Sequence, residues 1–455
     1  MSFPTPLALV GAPIRSPASD SRLIALSLTG IAAVFIYLLV YHAHHERRDA
    51  GHLGDFPTFY QAAQFAREHR DIYTAGHRET DQMYVYPPLI AFLYIPFTFL
   101  SLPNAAMIML FLTALILLGS VFLSARTMLD RLSAMTPTTL CAAALLIAIL
   151  SENEMRGEMT MLETDALMLL MFALALHWLD RRPVLAGVAL AFAFNIKYLS
   201  IVALPYLILR RRWSAVAGML IGTVVFALLP AIQLGWHEDI RCLRVSMGGL
   251  LRWVGISPDS SHSITVHNIA DGLSVSITSA LARVMGAHGF SNPQILVAAA
   301  GVAFLALVIV IIMYQFEGLP LWQWPNRRRQ AQGPYLGLIA MEWAGLVTIA
   351  LAFSPDTNTR HLVLTVLVNA AAASLLVAPK LSVSRAPALI GAVVIFLGYI
   401  MPGARTLRHL GFNHFVYGVP CWGLLIGYLM ILLTGLNYIS TQRRAHQDDT
   451  LPTPR

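Results

Sequence analysis

The sequence predicts an all-α polytopic membrane protein with about twelve transmembrane helices, and three observations carry that expectation. Of the 455 residues 57% are hydrophobic and only 12% are charged, about half the charged share of soluble domains. Apolar runs close to the ~20 residues that cross a bilayer recur along the chain. Short basic clusters sit beside those runs: Arg210-Arg211-Arg212, Arg327-Arg328-Arg329 and Arg443-Arg444. Such clusters orient membrane proteins, so the net charge of +7 needs no nucleic-acid partner to explain it.

Taken in order, residues 1–21 are rich in Pro and Ser and read as a cytoplasmic tail, residues 22–437 as a single transmembrane domain, and residues 438–455 as a second cytoplasmic tail. Leu23–Tyr41 is the first crossing; it is longer than a signal-peptide core and lacks a cleavage motif. A polar loop, about residues 42–88, follows it. Within that loop Pro57 to Arg70 sets Phe59, Ala62, Ala63 and Ala66 opposite Gln61, Gln64 and Arg67, the pattern of an amphipathic helix at a membrane surface.

Leu89–Leu102 and Ala105–Leu123 form the next apolar pair. Thr138–Leu150 and Thr164–Leu179 flank the acidic stretch SENEMRGEMTMLETD. Val184–Leu209 follows the turn Asp180-Arg181-Arg182-Pro183 and is interrupted by Asn195 and Lys197. Ala215–Leu234 leads into a second long polar loop, about residues 235–293. Ile295–Tyr314, Tyr335–Phe353, Leu362–Val377, Ala388–Met401 and Tyr417–Leu436 close the chain. Counting from a cytoplasmic N-terminus places both long loops outside and the three basic clusters inside. The same count sets Arg126, Arg131, Arg181 and Arg182 outside and Glu158 inside, unless Val184–Leu209 is two half-helices with Lys197 at their outer tip.

Several residues stand out chemically. Asp55 heads the predicted surface helix; it reads either as that helix's N-cap or as a general base for an acceptor hydroxyl at the water–lipid boundary. Lys197 lies inside a long apolar run, where an ammonium costs several kcal/mol unless it is paired or reaches water. It is a snorkelling side chain or a cation for a phosphate. Arg360 and His361 open a helix after the polar hinge beginning at Ser354, as incidental turn charges or as an anion site. Glu158, Glu163 and Asp165 fall in the acidic stretch, where carboxylates also serve to start a helix.

Other chemistries lose ground. Cys141, Cys242 and Cys421 are far apart, with no spacing for a disulfide framework or a zinc site. Asp259, His262, His267 and Asp271 match no standard ligand spacing, so no metal is expected. A P-loop, a dinucleotide fingerprint and a GxSxG motif are all absent from the sequence, and no cofactor is expected.

The stretches DFPTFYQAA, DIYTAG and YVYPPLIAFLYIPF resemble the opening of glycosyltransferase family 87. LAGVALAFAFNIKYLSIVALPYLILRRRW, containing Lys197, and SPDTNTRHLVLTVL, containing His361, are similar to later parts of the same family. The resemblance spans Gly51 to Trp213 and Ser354 to Leu367. It implies a multi-spanning GT-C fold. The helix count sets both long loops, and with them the active site, on the extracytoplasmic face, and the short basic loops and compact tails lead us to expect a bacterial inner membrane. The resemblance also implies transfer of a sugar, mannose by default, from a polyprenyl-phosphate carrier to a hydroxyl of a lipid or glycan acceptor, with inversion. Asp55 would be the catalytic base. Lys197 and His361, helped by Arg360, would hold the donor phosphate, and Tyr60, Tyr84 and Tyr86 would bind substrate. An apolar groove beside Tyr84–Pro88 would admit the lipid tail, and neither metal nor nucleotide would be needed.

The chain departs from the family where Gly-Gln and a nearby Asn are usual. It reads Gly157-Glu158-Met159-Thr160 there. Glu158 is therefore placed at the substrate, and the sugar is left open, because an acid and an amide differ in charge and hydrogen bonding. Two other readings stay open. One is a transferase using another lipid-linked sugar, such as arabinofuranose. The other is a transporter or flippase in which Lys197 and the acidic stretch line a pathway.

Overall fold

A long apolar sequence folds as helix in lipid because each backbone N–H and C=O must find its partner within its own segment. The computed structural model describes residues 17–48, 54–77, 82–253, 269–319, 334–379, 381, 383–400 and 417–448. Arg327–Arg329, Asp259, His262, His267 and the outer parts of both tails lie outside those residues.

The helices are α1 (Pro17–Arg48), α2 (Phe56–Arg67), α3 (Pro88–Tyr94), α4 (Leu102–Leu132), α5 (Pro137–Leu150), α6 (Glu152–Met161), α7 (Asp165–Trp178), α8 (Pro183–Ile196) and α9 (Ala203–Leu209). After them come α10 (Trp213–Leu228), α11 (Ala231–Leu234), α12 (Trp236–Trp253), α13 (Ile277–Ala287), α14 (Asn292–Phe316), α15 (Pro334–Phe353), α16 (Val366–Val377), α17 (Ala386–Ile400) and α18 (Val419–Asp448). A two-stranded antiparallel ribbon, β1 (Gly76–His77) with β2 (Gln82–Met83), follows α2.

The chain is thus an all-α, multi-pass membrane protein, and the predicted apolar segments are helical over most of their described residues. The expected count of crossings is not established. Among the described residues seven helices are long and apolar enough to cross, or eight if α5 and α6, bent by 64°, form one span. Pro88–Phe99, Asp165–Trp178, Pro183–Ile196, Tyr198–Leu209 and Ala386–Ile400 are shorter than the ~20 residues a straight crossing takes.

At the centre stands α16, with Val366 through Leu375 buried on every side. Its run of small residues, Ala370 to Ser374, lets neighbouring helices approach closely. A second close contact joins α8 to α10. A Cβ on Gly187 would come 2.0 Å from the Ala215 carbonyl oxygen, and one on Gly218 would come 2.3 Å from that of Val184. Only hydrogen fits at either place.

Val184–Leu209 is not one helix. It breaks after Ile196, where Lys197 is extended (φ −141°, ψ 137°), and a 3₁₀ turn at Tyr198–Val202 begins the return into α9. Asp180, before α8, binds Arg212, after α9, at 2.6 Å, so the chain goes out and comes back. This corrects the parity of the middle. Asp180 also pairs with Arg131 at 2.7 Å, which brings the end of α4 to the same place. Arg131, Arg212 and Arg443 therefore share one end of the bundle: Ile439 of α18 packs on Gly337, which lies against the Arg131 carbonyl, and Arg443 binds the Gly318 carbonyl.

Asp55 and Glu158 share the opposite end, because the Asp55 amide donates to the Met161 carbonyl at 3.0 Å. The expected count set Arg131 apart from Arg212 and Glu158 apart from Asp55; the structure instead puts each pair at one end. Helix α2 is amphipathic as predicted but packs inward. Phe56, Phe59 and Tyr60 are buried, and Phe59 stacks against Tyr84, Tyr86 and Tyr94. The second long loop holds α12 and α13. At the two ends, α1 begins within the predicted N-terminal tail and α18 runs into the predicted C-terminal one.

Gly218→Val is expected to destabilise the protein by roughly 1–3 kcal/mol, the range for overpacking a tight contact. Gly119→Ala, where nothing lies within 4 Å of the new Cβ, should not. Thermal unfolding of both variants in detergent decides it; equal midpoints would show that the α8–α10 contact yields easily.

Candidate active site

Four separate pieces of chain meet at one end of the bundle, and local sequence explains how each is held. Gly54 precedes α2 with φ +57°, and a Cβ there would come 2.4 Å from the Met161 Cα. Only glycine accepts both the left-handed backbone and the contact. Asp55 follows, and its side chain makes no cap bond to α2. It pairs with the Arg360 guanidinium instead, so helix capping is not what occupies this carboxylate.

The second piece is the α6–α7 junction. Leu162 ends α6 in the left-handed conformation, φ 50°, and turns the chain so that Glu163 and Asp165 face the site. Glu158 Oε1 accepts the Ala166 amide at 2.8 Å, which caps the start of α7 from below. The third piece is the break after α8. Lys197 Nζ lies 2.9 Å from Glu163 Oε2 and 2.7 Å from Asp165 Oδ2, with the Tyr86 ring centroid 5.3 Å away.

The fourth is the hinge between α15 and α16, clamped by the segment leading into α13. The Val275 amide donates to the Thr357 carbonyl at 2.7 Å, and the Ser279 hydroxyl to the Pro355 carbonyl at 2.8 Å. The hinge presents Arg360, which bridges Asp55 and Glu163. His361 Nδ1 accepts the Asn358 amide at 3.3 Å, which leaves Nε2 as the protonated nitrogen, 3.8 Å from Asp165 Oδ2.

Three carboxylates thus share two fixed cations. Burial, together with the neighbouring Glu163 carboxylate, pushes Asp55 up to about 7, against the pull of Arg360. Burial also acts to raise Glu163, but Lys197 and Arg360 outweigh it and hold that carboxyl well below the usual range. A group near 7 beside one that stays ionised is an arrangement suited to general-base work at neutral pH. Glu163, Asp165 and His361 each offer a ligand atom within 4.8 Å of the others. The Lys197 ammonium already sits on both carboxylates, so a divalent cation would have to displace it.

A cavity of about 1320 Å³ opens beside this cluster. Asp55, Glu163, Lys197, Arg360 and His361 line its charged end, with Tyr86 under the lysine. The sequence-level site therefore assembles in part. Tyr60, Tyr84 and Glu158 do not line the cavity. Tyr60 donates to the Leu100 carbonyl at 2.7 Å, and buried Tyr84 donates to the Pro87 carbonyl at 2.7 Å while accepting the Ala91 amide. Both aromatics hold the loop in shape. Glu163 and Asp165, read from sequence as a helix-initiating stretch, are the acids at the site itself. Two carboxylates two residues apart beside an apolar helix start were the only signal for them.

Lys197→Ala leaves Glu163 and Asp165 without their shared cation and is expected to destabilise by roughly 3–5 kcal/mol. Adding Asp165→Asn to that variant should recover part of the loss. Thermal unfolding in detergent tests this, and equal midpoints for the single and double variants would show that the pair is not coupled.

The family model of glycosyltransferase family 87 matches residues 84–355, more than half of the chain. That span includes Tyr84, Tyr86, Glu158, Glu163, Asp165 and Lys197, while Asp55, Arg360 and His361 lie outside it. A comparison with curated proteins gives no match. Among solved structures, the chain is similar to ArnT from Cupriavidus metallidurans bound to undecaprenyl phosphate, at 14% identity over 96% of this chain and 80% of that one, with a TM-score of 0.41. The same protein in the apo state gives 15% identity, 96% and 82% coverage, and a TM-score of 0.38. At those values neither likeness transfers a residue role.

Proposed function

The chain belongs to glycosyltransferase family 87, and from that premise we propose that it moves a sugar from a polyprenyl-phosphate carrier to a hydroxyl of a lipid or glycan acceptor, with Asp55 as general base. It is a multi-pass membrane glycosyltransferase. Mannose is the default sugar, and the GT-C architecture of the family is the frame for the helices described above.

One observation carries the reading. Arg360 bridges Asp55 and Glu163, so the base and the cations suited to a phosphate are neighbours in one cavity. In the transfer, the Asp55 carboxylate takes the proton of the acceptor hydroxyl as that oxygen attacks the anomeric carbon. The bond from that carbon to the phosphate oxygen breaks, and polyprenyl phosphate leaves with the bonding pair and its negative charge. Attack from the face opposite the leaving group inverts the anomeric centre. Arg360, Lys197 and the Nε2–H of His361 stabilise the phosphate as charge builds on it.

The arriving phosphate competes with Asp55 for Arg360. Glu163 keeps its other cation, Lys197, through the exchange. Once Arg360 turns to the phosphate, Asp55 loses a positive neighbour and becomes a better base. No metal or nucleotide is needed in this scheme.

The orientation follows from charge. Arg131, Arg212 and Arg443 gather at the end opposite the site, and the positive-inside rule places that end in the cytoplasm. The site then faces the extracytoplasmic side, of a bacterial inner membrane in this reading. With single cysteines introduced on the otherwise buried-cysteine background, Glu68→Cys should react with a membrane-impermeant maleimide in intact spheroplasts and Met135→Cys only after lysis. The reverse pattern would invert the topology.

Asp55→Asn is expected to lower transfer about 10²- to 10⁴-fold while donor binding is kept. Radiolabelled sugar transfer from polyprenyl-phosphate mannose to a lipid extract, in nanodiscs, measures it. Equal rates would remove Asp55 from its role, and no turnover of any polyprenyl-phosphate sugar would overturn the proposal. The wild-type pH profile is a separate check. The base must be ionised, and burial has pushed Asp55 up to about 7. kcat/KM should therefore be full above that value and fall as pH drops through it; a flat profile between pH 5 and 8 speaks against a base of this kind.

A further inference from the structure

Helix α12, in the second long loop, ties several parts of the site together. The Tyr73 hydroxyl is shared between the Cys242 carbonyl of α12, at 3.0 Å, and the Tyr86 carbonyl, at 3.2 Å. The Ser246 hydroxyl meets that of Tyr198, the neighbour of Lys197, at 2.7 Å. Met247 lines the cavity. Arg241 pairs with Asp71 at 2.7 Å and with Glu238.

The inward face of this helix has one odd member. Asp239, Cys242, Val245 and Ser246 are all buried, at the three- and four-residue spacing with which an amphipathic helix packs an apolar stripe. Asp239 holds a place that this pattern gives to an apolar side chain. It is fully buried, and among the described residues neither carboxyl oxygen has a hydrogen-bond partner. A buried carboxylate left alone is costly, and such a group takes up a proton instead. Burial pushes Asp239 up to about 6.

Among the described residues no neighbour supplies a counter-charge. Helices α10 and α11, packed on α12, carry no titratable side chain, and α3 carries only Tyr94. Arg241 is held by Asp71 and Glu238, and the Tyr73 and Tyr198 hydroxyls are engaged with Cys242 and Ser246. His237 and Arg244, also on α12, are exposed.

We propose that Asp239 is a proton-sensitive latch for α12: the helix docks fully while this carboxyl is protonated and loosens when it ionises. Once undocked the carboxyl is wetted and titrates near the ordinary value of ~3.9. Docking is therefore strongest at acid pH, weakens as pH rises past the undocked value, and has lost this contribution above about 6. Loosening takes Met247 from the cavity wall and leaves Tyr73 and Tyr198 without their partners on α12. The latch thus reaches both sides of Lys197, through Tyr198 beside it in sequence and through Tyr73 to Tyr86. It is independent of which reaction the cavity performs.

Hydrogen–deuterium exchange of the full-length protein in nanodiscs, read on residues 236–248 and corrected for the intrinsic rate at each pH, tests it. Between pH 5 and pH 7.5 protection of that segment is expected to fall about tenfold, the change that carboxyl values near 3.9 and 6 impose on the docking equilibrium. In Asp239→Asn the amide stands in for the neutral acid, and protection should stay level. His237→Gln should keep the wild-type fall, and α16 should show none.

A level wild-type profile, an equal fall in Asp239→Asn, or loss of the fall in His237→Gln would each overturn the proposal. So would a matching fall in α16, which would mark loosening of the whole molecule. The wild-type and His237→Gln profiles decide the matter even if Asp239→Asn does not fold.

Discussion

The bridge that Arg360 makes between Asp55 and Glu163 requires residues 305 and 197 positions apart to meet in a largely buried setting. Much of the fold can be traced to meeting that requirement. Buried charges cost several kcal/mol each unless every one finds a partner. Asp55 needs Gly54 and the Met161 carbonyl to hold its backbone, and Glu163 needs the left-handed Leu162 to turn it inward. Arg360 needs the hinge after α15, itself clamped by hydrogen bonds from Val275 and Ser279. Removing Arg360 leaves the Asp55 carboxylate without its ion-pair partner.

The same network explains why a transmembrane segment is broken. An unbroken helix through Val184–Leu209 would leave the Lys197 ammonium part-way along a lipid-facing rod. Ending α8 at Ile196 sets it at a tip, where two carboxylates receive it. The break also returns the chain to the end where Asp180 ties Arg131 to Arg212. One charged end then faces another across the bundle: cations paired at the first, acids sharing two cations at the second. A protein divided in this way has an orientation built into its ion pairs, not only into its loops.

Such a network is weak support for stability, since well-packed apolar residues often do as well in its place. In the proposed transfer its value lies in reactivity: a carboxyl near neutrality beside an acid that stays ionised is suited to proton transfer, and the guanidinium paired with it would turn to the arriving phosphate. Ala299, Ala300 and Ala303 of α14, a helix with few buried residues, form part of the same cavity's wall.

The sequence by itself determined the helical membrane class, since apolar run length and basic clusters follow from the solvent and need no partner to be read. It also marked Asp55, Lys197, Arg360 and His361, because charges beside or within apolar runs stand out, and the cavity does bring these four together. Tertiary structure decided the rest. Whether an aromatic lines a cavity or props a loop depends on neighbours distant in sequence, so Tyr86 and Tyr84, two residues apart, part company. Glu158 and Glu163 looked alike in the acidic stretch, yet the turn at Leu162 sends one beneath α7 and the other to Lys197. The parity of the middle rested on whether Val184–Leu209 was one helix or two. Hydropathy cannot register that break, because a single paired lysine barely changes an apolar average, while three dimensions place its two partners within 3 Å.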